Sequence, residues 1–172
     1  MLSTKDSVYI AMMTSLLIVL GFVPPIPLAF IPVPIVLQNI GVMLIALILG
    51  AKKGTYAMIL FYLIGLVFPI FSASRTLLPV LTGQTAGYVI AWFFVPMVFA
   101  GILKLLPSKN FIATTFAIWI TGVLFIDLLG AIWLTYPNFE GILASLIFIP
   151  LDTVKAILAS FIAIQIKKRG IT

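Results

Sequence analysis

Six long apolar runs divide this chain, and their lengths constrain its fold more than any other feature. They cover roughly residues 5–23, 34–50, 54–71, 84–106, 111–134 and 142–166. A helix of about 20 residues crosses the hydrocarbon layer of a membrane. The second and third runs are short, near the lower limit of that range. Globular domains are about 45–50% apolar and about 25% charged, whereas this chain is 63% hydrophobic and 8% charged. The excess is spread along the whole length, so there is no soluble half. A core of this size cannot hide that much apolar surface from water, and lipid must be the solvent for most side chains. The expectation is an all-α integral membrane protein, a single six-helix domain over residues 1–172.

The breaks between runs are well marked. "PPIPLAFIPVP" puts five prolines in eleven residues, which no helix tolerates. "GAKKG" reads as a tight polar turn, "SASRTLLPVLTG" as a longer loop, and "LPSKNF" and "TYPNFEG" complete the set. The apolar stretch of the first run, from about Val8, has only one lysine and one aspartate before it and ends without a small-x-small cleavage site, so it reads as a retained span. With six spans both termini share one side. That side collects Lys5, Lys52, Lys53, Lys104, Lys109, Lys167, Lys168 and Arg169, and the other only Arg75. The excess of Lys and Arg marks the cytoplasmic face. The proline-rich, Arg75 and Glu140 loops then face outside. The net charge of +6 is thus a topology signal rather than a nucleic-acid footprint.

Composition also removes several chemistries. There are no cysteines and no histidines. Disulfides and thiolate metal sites are excluded, and the commonest metal ligand and general acid–base group is missing. No metal site or cofactor is expected. No repeat is evident. "GAKKGT" lacks the spacing of a phosphate-cradling G-x-x-x-x-G-K-[ST] loop, so the chain does not hydrolyse ATP by that route.

Against this background, Asp152 and Lys155 in "FIPLDTVKAILASFIAIQIKK" stand out. Positions three apart are neighbours on one helix face. If the sixth span starts at about Ile142, Asp152 lies about 15 Å below its outer end at ~1.5 Å per residue. Asp127, on the adjacent antiparallel span, falls at a similar depth. A charge at the bilayer centre costs roughly 2.5–3.5 kcal/mol on insertion scales. One carboxylate can neutralise Lys155, and the other then carries a surplus charge. It must be protonated, face water or hold a polar ligand. Pro150 is expected to kink the helix and free the carbonyl of Leu146, opening a cavity there.

Other polar residues gather at the same end: Gln38 and Asn39 in the second run, Gln84, Thr85 and Tyr88 in the fourth, and Arg75 in the outer loop. Trp92, Trp133, Phe71 and Phe148 could wall a pocket, although Trp133 and Tyr136 also suit a membrane surface. Mostly apolar walls with a few convergent polar groups are the make-up of a small-ligand site. An intramembrane enzyme is disfavoured. An Asp127–Asp152 dyad would have Lys155 beside it holding at least one carboxylate ionised. A purely structural membrane protein would need no buried ions.

Three stretches resemble the BioY family, the biotin-specific substrate-binding subunits (S components) of energy-coupling-factor (ECF) transporters. They are "PVPIVLQNIGVMLIALILGAKKG", "LTGQTAGYVIAWF" and "FIPLDTVKAILA", and the likeness runs over about residues 8–166. Leu151 stands where the family has glycine, Val36 where threonine is usual, and "GQTAGYVIAW" lacks a proline and two glycines of the second segment. The resemblance implies a binding role for Asp152 and Lys155, which match its D-x-x-K motif, and for Tyr88 and Gln38. Asn39, Gln84, Arg75 and Asp127 rest on depth and position alone. Within that reading Asp152 accepts from a ureido N–H, Lys155 orients Asp152 or donates to the ligand, and Arg75 is a candidate for the ligand carboxylate. The resemblance further implies a prokaryotic plasma-membrane location, a membrane coupling subunit and two ATP-binding cassette ATPase subunits as partners. Ala11 and Ser15, four apart on the first span, offer a small-xxx-small face for docking. A different vitamin, or a precursor or close analogue of biotin, remains an alternative ligand.

Overall fold

The structure, a computed structural model, describes residues 2–28, 31–108, 110–135 and 146–170. Among these, five helices are long and apolar enough to cross a membrane. They are α1 (Thr4–Gly21), α2 (Gln38–Val67), α4 (Ala86–Leu105), a composite helix over Phe111–Leu134, and α7 (Phe148–Lys168). A one-turn helix, α3 (Leu77–Leu81), precedes α4. The composite helix is made of α5 (Phe111–Trp119), a π-helical segment (Ile120–Phe125) and all but the last residue of α6 (Ile126–Thr135). The start of the sixth run at 142, the Glu140 loop, Tyr136 and Lys109 lie outside the described residues.

The 30 residues of α2 are not one rod. A straight helix of that length would be about 45 Å long. Yet Gln38 Nε2, at its start, donates to the carbonyl of Ile70, beyond its end, at 3.0 Å. A Cβ on Gly54 would lie 3.4 Å from Ile45 Cγ2, although nine residues of straight helix span about 13 Å. The chain folds back at Gly50, whose φ of 70° and ψ of −165° are not helical. That φ is open to glycine at little cost. Segments 38–49 and 51–67 therefore pack as an antiparallel pair, joined by the turn read as "GAKKG". Lys53 at this turn pairs with Asp6 at 3.0 Å, tying it to the first turn of α1. Ser3 caps that turn in a reciprocal box with Asp6.

The proline-rich stretch is not simply a loop. Strands β1 (Ile26–Leu28) and β2 (Ile31–Ile35) pair antiparallel, Ile26 opposite Ile35 and Leu28 opposite Ile31. A two-stranded ribbon has only edges, so prolines without an N–H can sit where no ladder bond is made. The second helical run accordingly begins at Gln38, not at 34.

Pro150 also differs from expectation. It lies in the first turn of the described α7, where a missing N–H leaves no intrahelical bond unmade. The Leu146 carbonyl is not freed, because the Ile149 N–H donates to it at 3.3 Å. Pro96 lies well inside α4, and its ring packs beside Gly54. The buried core runs through the middle of the bundle and includes Leu17, Ile45, Phe61, Val95 and Ile118.

Candidate functional site

Near the end of the bundle away from the Gly50 turn, the helix starts and the strand ribbon enclose a narrow cleft. Its void is about 650 Å³ with the mouth included, of which about 70 Å³ admits the centre of a water molecule. Gln38, Asn39, Arg75, Tyr88, Asp127, Asp152 and Lys155 all line it. Gln84 does not: it is exposed, and its neighbour Thr85 faces the cleft instead. Phe71, Trp92 and Phe148 supply aromatic wall, while Trp133 stands half exposed outside it and donates to the carbonyl of Gly83.

The ionic centre is built from three elements. Lys155 Nζ donates to Asp152 Oδ1 at 2.6 Å and to the carbonyl of Val36, just after β2, at 2.8 Å. Asn39 Nδ2 donates to Asp152 Oδ2 at 2.9 Å. Both oxygens of Asp152 are thus engaged, and Lys155 keeps one of its three N–H donors unassigned. The same Asn39 nitrogen also reaches the carbonyl of Gly122 at 3.4 Å, inside the π-helical segment. Irregular turns of this kind occur often at functional sites. This one lies directly before Ile126 and Asp127, which line the cleft.

Asp127 differs: it is buried, and among the described residues its Oδ2 has no hydrogen-bond partner. The surplus carboxylate expected from charge counting is therefore Asp127, with Asp152 held by Lys155. Buried polar atoms in folded proteins are nearly always paired. Among the described residues eight buried side-chain atoms are not, and six of them belong to cleft residues: Gln38 Oε1, Asn39 Oδ1, Ser72 Oγ, Tyr88 Oη, Trp92 Nε1 and Asp127 Oδ2. Such a concentration of unmet donors and acceptors is what a polar ligand would satisfy.

Gln38 plays two parts. Its Nε2 joins the carbonyls of Leu17 and Ile70, at 3.2 and 3.0 Å, so it pins α1 and the segment after α2 together. Only its oxygen remains for a ligand. Arg75 enters on a tight turn in which Phe71 and Arg75 exchange backbone hydrogen bonds. Ala73 and Ser74 between them adopt φ of 63° and 54°. Among the described residues the Arg75 guanidinium has no ion-pair partner. Ser72 was not legible as a site residue, because nothing in "FSASR" sets one serine apart from the other. Tyr88 is seated by Gly130: a Cβ there would lie 2.3 Å from the tyrosine ring. Ala11 and Ser15 are both exposed on the outer face of α1, beside Met12 and Val19.

A bundle of membrane-length helices closing on a cleft of unmet polar atoms, with no metal-ligand cluster among the described residues, defines a membrane protein with a small-ligand site. The BioY family model matches residues 1–171, and the chain belongs to the BioY family. It is 38% identical to the biotin transporter BioY of Lactococcus lactis subsp. cremoris (strain MG1363), covering 96% of this chain and 92% of that protein. It is 33% identical to the probable biotin transporter BioY of Bacillus subtilis (strain 168), again over 96% and 92%. The crystal structure of the S-component for biotin from an ECF-type ABC transporter superposes with a TM-score of 0.90 at 36% identity, covering 98% of this chain and 95% of that one.

Proposed function

We propose that this chain is the biotin-binding subunit of an ATP-driven ECF-type uptake transporter, a non-enzymatic S component of a prokaryotic plasma membrane. The observation that carries this reading is the gathering of six unmet polar atoms around the Asp152–Lys155 pair in one cleft. Biotin fits that inventory. Its ureido ring brings two N–H donors and one carbonyl, its thiophane ring and valeryl chain need apolar walls, and its carboxylate needs a cation.

The partners of each group follow from what is already engaged. Asp127 Oδ2 is the unpartnered carboxylate oxygen among the described cleft residues and takes a ureido N–H. Asp152, bonded to Lys155 and Asn39, shares in that role through its remaining lone pairs and orients Lys155. The third N–H of Lys155 and the Tyr88 hydroxyl donate to ligand oxygens. Arg75, at the turn after Phe71, meets the carboxylate. Gln38 Oε1 and Asn39 Oδ1 are further acceptors on the same wall.

The chain is one domain over residues 1–172 with six crossings. The fold-back at Gly50 supports counting α2 twice. Both termini are cytoplasmic, in keeping with the lysines near the start of α1, the Gly50 turn and the ends of α4 and α7. The cleft then opens outward. Partners are a membrane coupling subunit, reached through the Ala11–Ser15 face of α1, and two ATP-binding cassette ATPases.

The test is a thermal-shift and calorimetry panel on the purified chain with biotin, a ureido precursor lacking the thiophane ring, thiamine and riboflavin. Biotin should give the largest stabilisation. A larger shift with another vitamin, and no heat with biotin, would reassign the ligand. Asp152→Asn should weaken biotin by about 1.5–3 kcal/mol, the range for a hydrogen bond to a charged group. Unchanged affinity in a folded variant would remove Asp152 from the site.

A further inference from the structure

A second cavity opens at the other end of the bundle, between the Gly50 turn and the ends of α4 and α7. About 300 Å³ of it admits the centre of a water molecule. Leu47, Gly50, Phe99 and Leu103 form its walls, and Lys104 and Lys167 supply its cations. Among the described residues no carboxylate lines it. The chain has four acidic residues in all. Asp6 is paired with Lys53 and Asp152 with Lys155. Asp127 lines the cleft at the opposite end, and Glu140 lies outside the described residues. Among the described residues, then, neither Lys104 nor Lys167 has an ion-pair partner. Two ammoniums without an ion-pair partner among the described residues, set over apolar walls, match an anion that carries an apolar body.

Depth selects which anion. Lys104 is 16 residues along α4 from Tyr88, and Lys167 is 15 residues along α7 from Asp152. At ~1.5 Å per residue these are about 24 and 22 Å from the ligand cleft. Lys52, Lys53, Lys168 and Arg169 sit at the same end, at the turn and helix terminus where lysines reach the headgroup layer. An anionic phospholipid presents its phosphate at that level and its acyl chain just below. Basic pockets between membrane helices are suited to such headgroups.

We propose that the Lys104–Lys167 cavity binds the phosphate of an anionic phospholipid from the adjoining leaflet, with the acyl chain against the apolar walls. The site is separate from the ligand cleft, and its test does not depend on which ligand fills that cleft. The experiment is native mass spectrometry and thermal shift on the full chain in detergent. The probes are dioleoyl phosphatidylglycerol, dioleoyl phosphatidylcholine and glycerol 3-phosphate. Phosphatidylglycerol should be retained and should raise Tm, while phosphatidylcholine should do neither. Near a membrane surface each lysine is worth enough that Lys104→Gln/Lys167→Gln should weaken phosphatidylglycerol about 30-fold. Lys5→Gln/Lys168→Gln makes the same charge change at exposed lysines outside the cavity; solvent screening makes such charges worth little, so it should weaken phosphatidylglycerol less than about threefold. Gel-filtration profile and the cooperativity of thermal unfolding report whether each variant is folded. Equal losses in both double variants, or equal retention of the two lipids, would overturn the proposal. Glycerol 3-phosphate binding as tightly as the lipid would make this a free phosphate site and overturn it too.

Discussion

Gly130→Ala tests whether the Tyr88 ring is positioned by a missing side chain. The new Cβ would lie 2.3 Å from two ring carbons of Tyr88, and ordinary contact begins at 3.4 Å, so the ring must retreat by about 1.1 Å. Two directions differ in cost. Leu129 and Trp133 crowd the neighbouring Gly87, so α4 and α6 cannot easily separate. The cleft is empty space beside the ring, and Phe148 meets it there only edge-on, with centroids 6.2 Å apart. The ring should therefore swing into the cleft, and the penalty should appear on ligand binding more than on stability. Overpacking costs typically 1–3 kcal/mol, so affinity should fall by about 5- to 150-fold at 1.4 kcal/mol per decade. Calorimetry with biotin reads the affinity, and thermal unfolding reads the fold. In a Tyr88→Ala background there is no ring to displace, and Gly130→Ala should then cost little, a coupling between contacting residues. Gly101→Ala, where a Cβ meets nothing within 4 Å, is the control; it should stabilise the helix by about 0.5–1 kcal/mol. An undiminished Gly130→Ala penalty without the tyrosine ring, or unchanged affinity with it, would refute the reasoning.

Other outcomes follow from the same geometry. Lys155→Met leaves Asp152 buried without its cation and should destabilise the chain by about 3–5 kcal/mol, part of which returns in Asp152→Asn/Lys155→Met. Denaturant titration in micelles checks both, and equal stability of the single and double variants would contradict it. Gln38→Leu removes two hydrogen bonds to backbone carbonyls of different segments. It should lower stability by about 1–3 kcal/mol, seen as a reduced Tm even without ligand. Ala73→Gly relieves a left-handed backbone at φ 63°. The steric penalty there is roughly 1–2 kcal/mol, so Tm should rise; a lower Tm would mean that the turn carries no strain.

Much of the cleft lining was legible before the fold. Charge in an apolar helix is costly enough that Asp152, Lys155 and Asp127 announce themselves. Their depth could be compared because helix rise is constant. Gln84 was misjudged for a related reason. Residues 84 and 85 are adjacent in sequence, and only the entry of the chain into α4 decides which of them faces the cleft. Pro150 was misjudged because a proline's effect depends on its distance from the helix start, and apolar patterning blurs that boundary.

The sequence by itself determined that this chain lives in lipid, where its breaks fall, and that its buried charges need partners. Those properties are set by composition and by local backbone preference. Only the tertiary structure decided how the charges are shared. Lys155 chooses Asp152 over Asp127 because positions three apart on α7 meet without help, while Asp127 must come from another helix through a π-helical turn. Asn39 completes Asp152, which leaves Asp127 as the open acceptor. Likewise the pairing of 38–49 with 51–67 hangs on one φ angle at Gly50, and the seating of Tyr88 on the absence of a Cβ at Gly130. Contacts between residues far apart in the chain depend on how helices approach one another, and no local pattern encodes that approach.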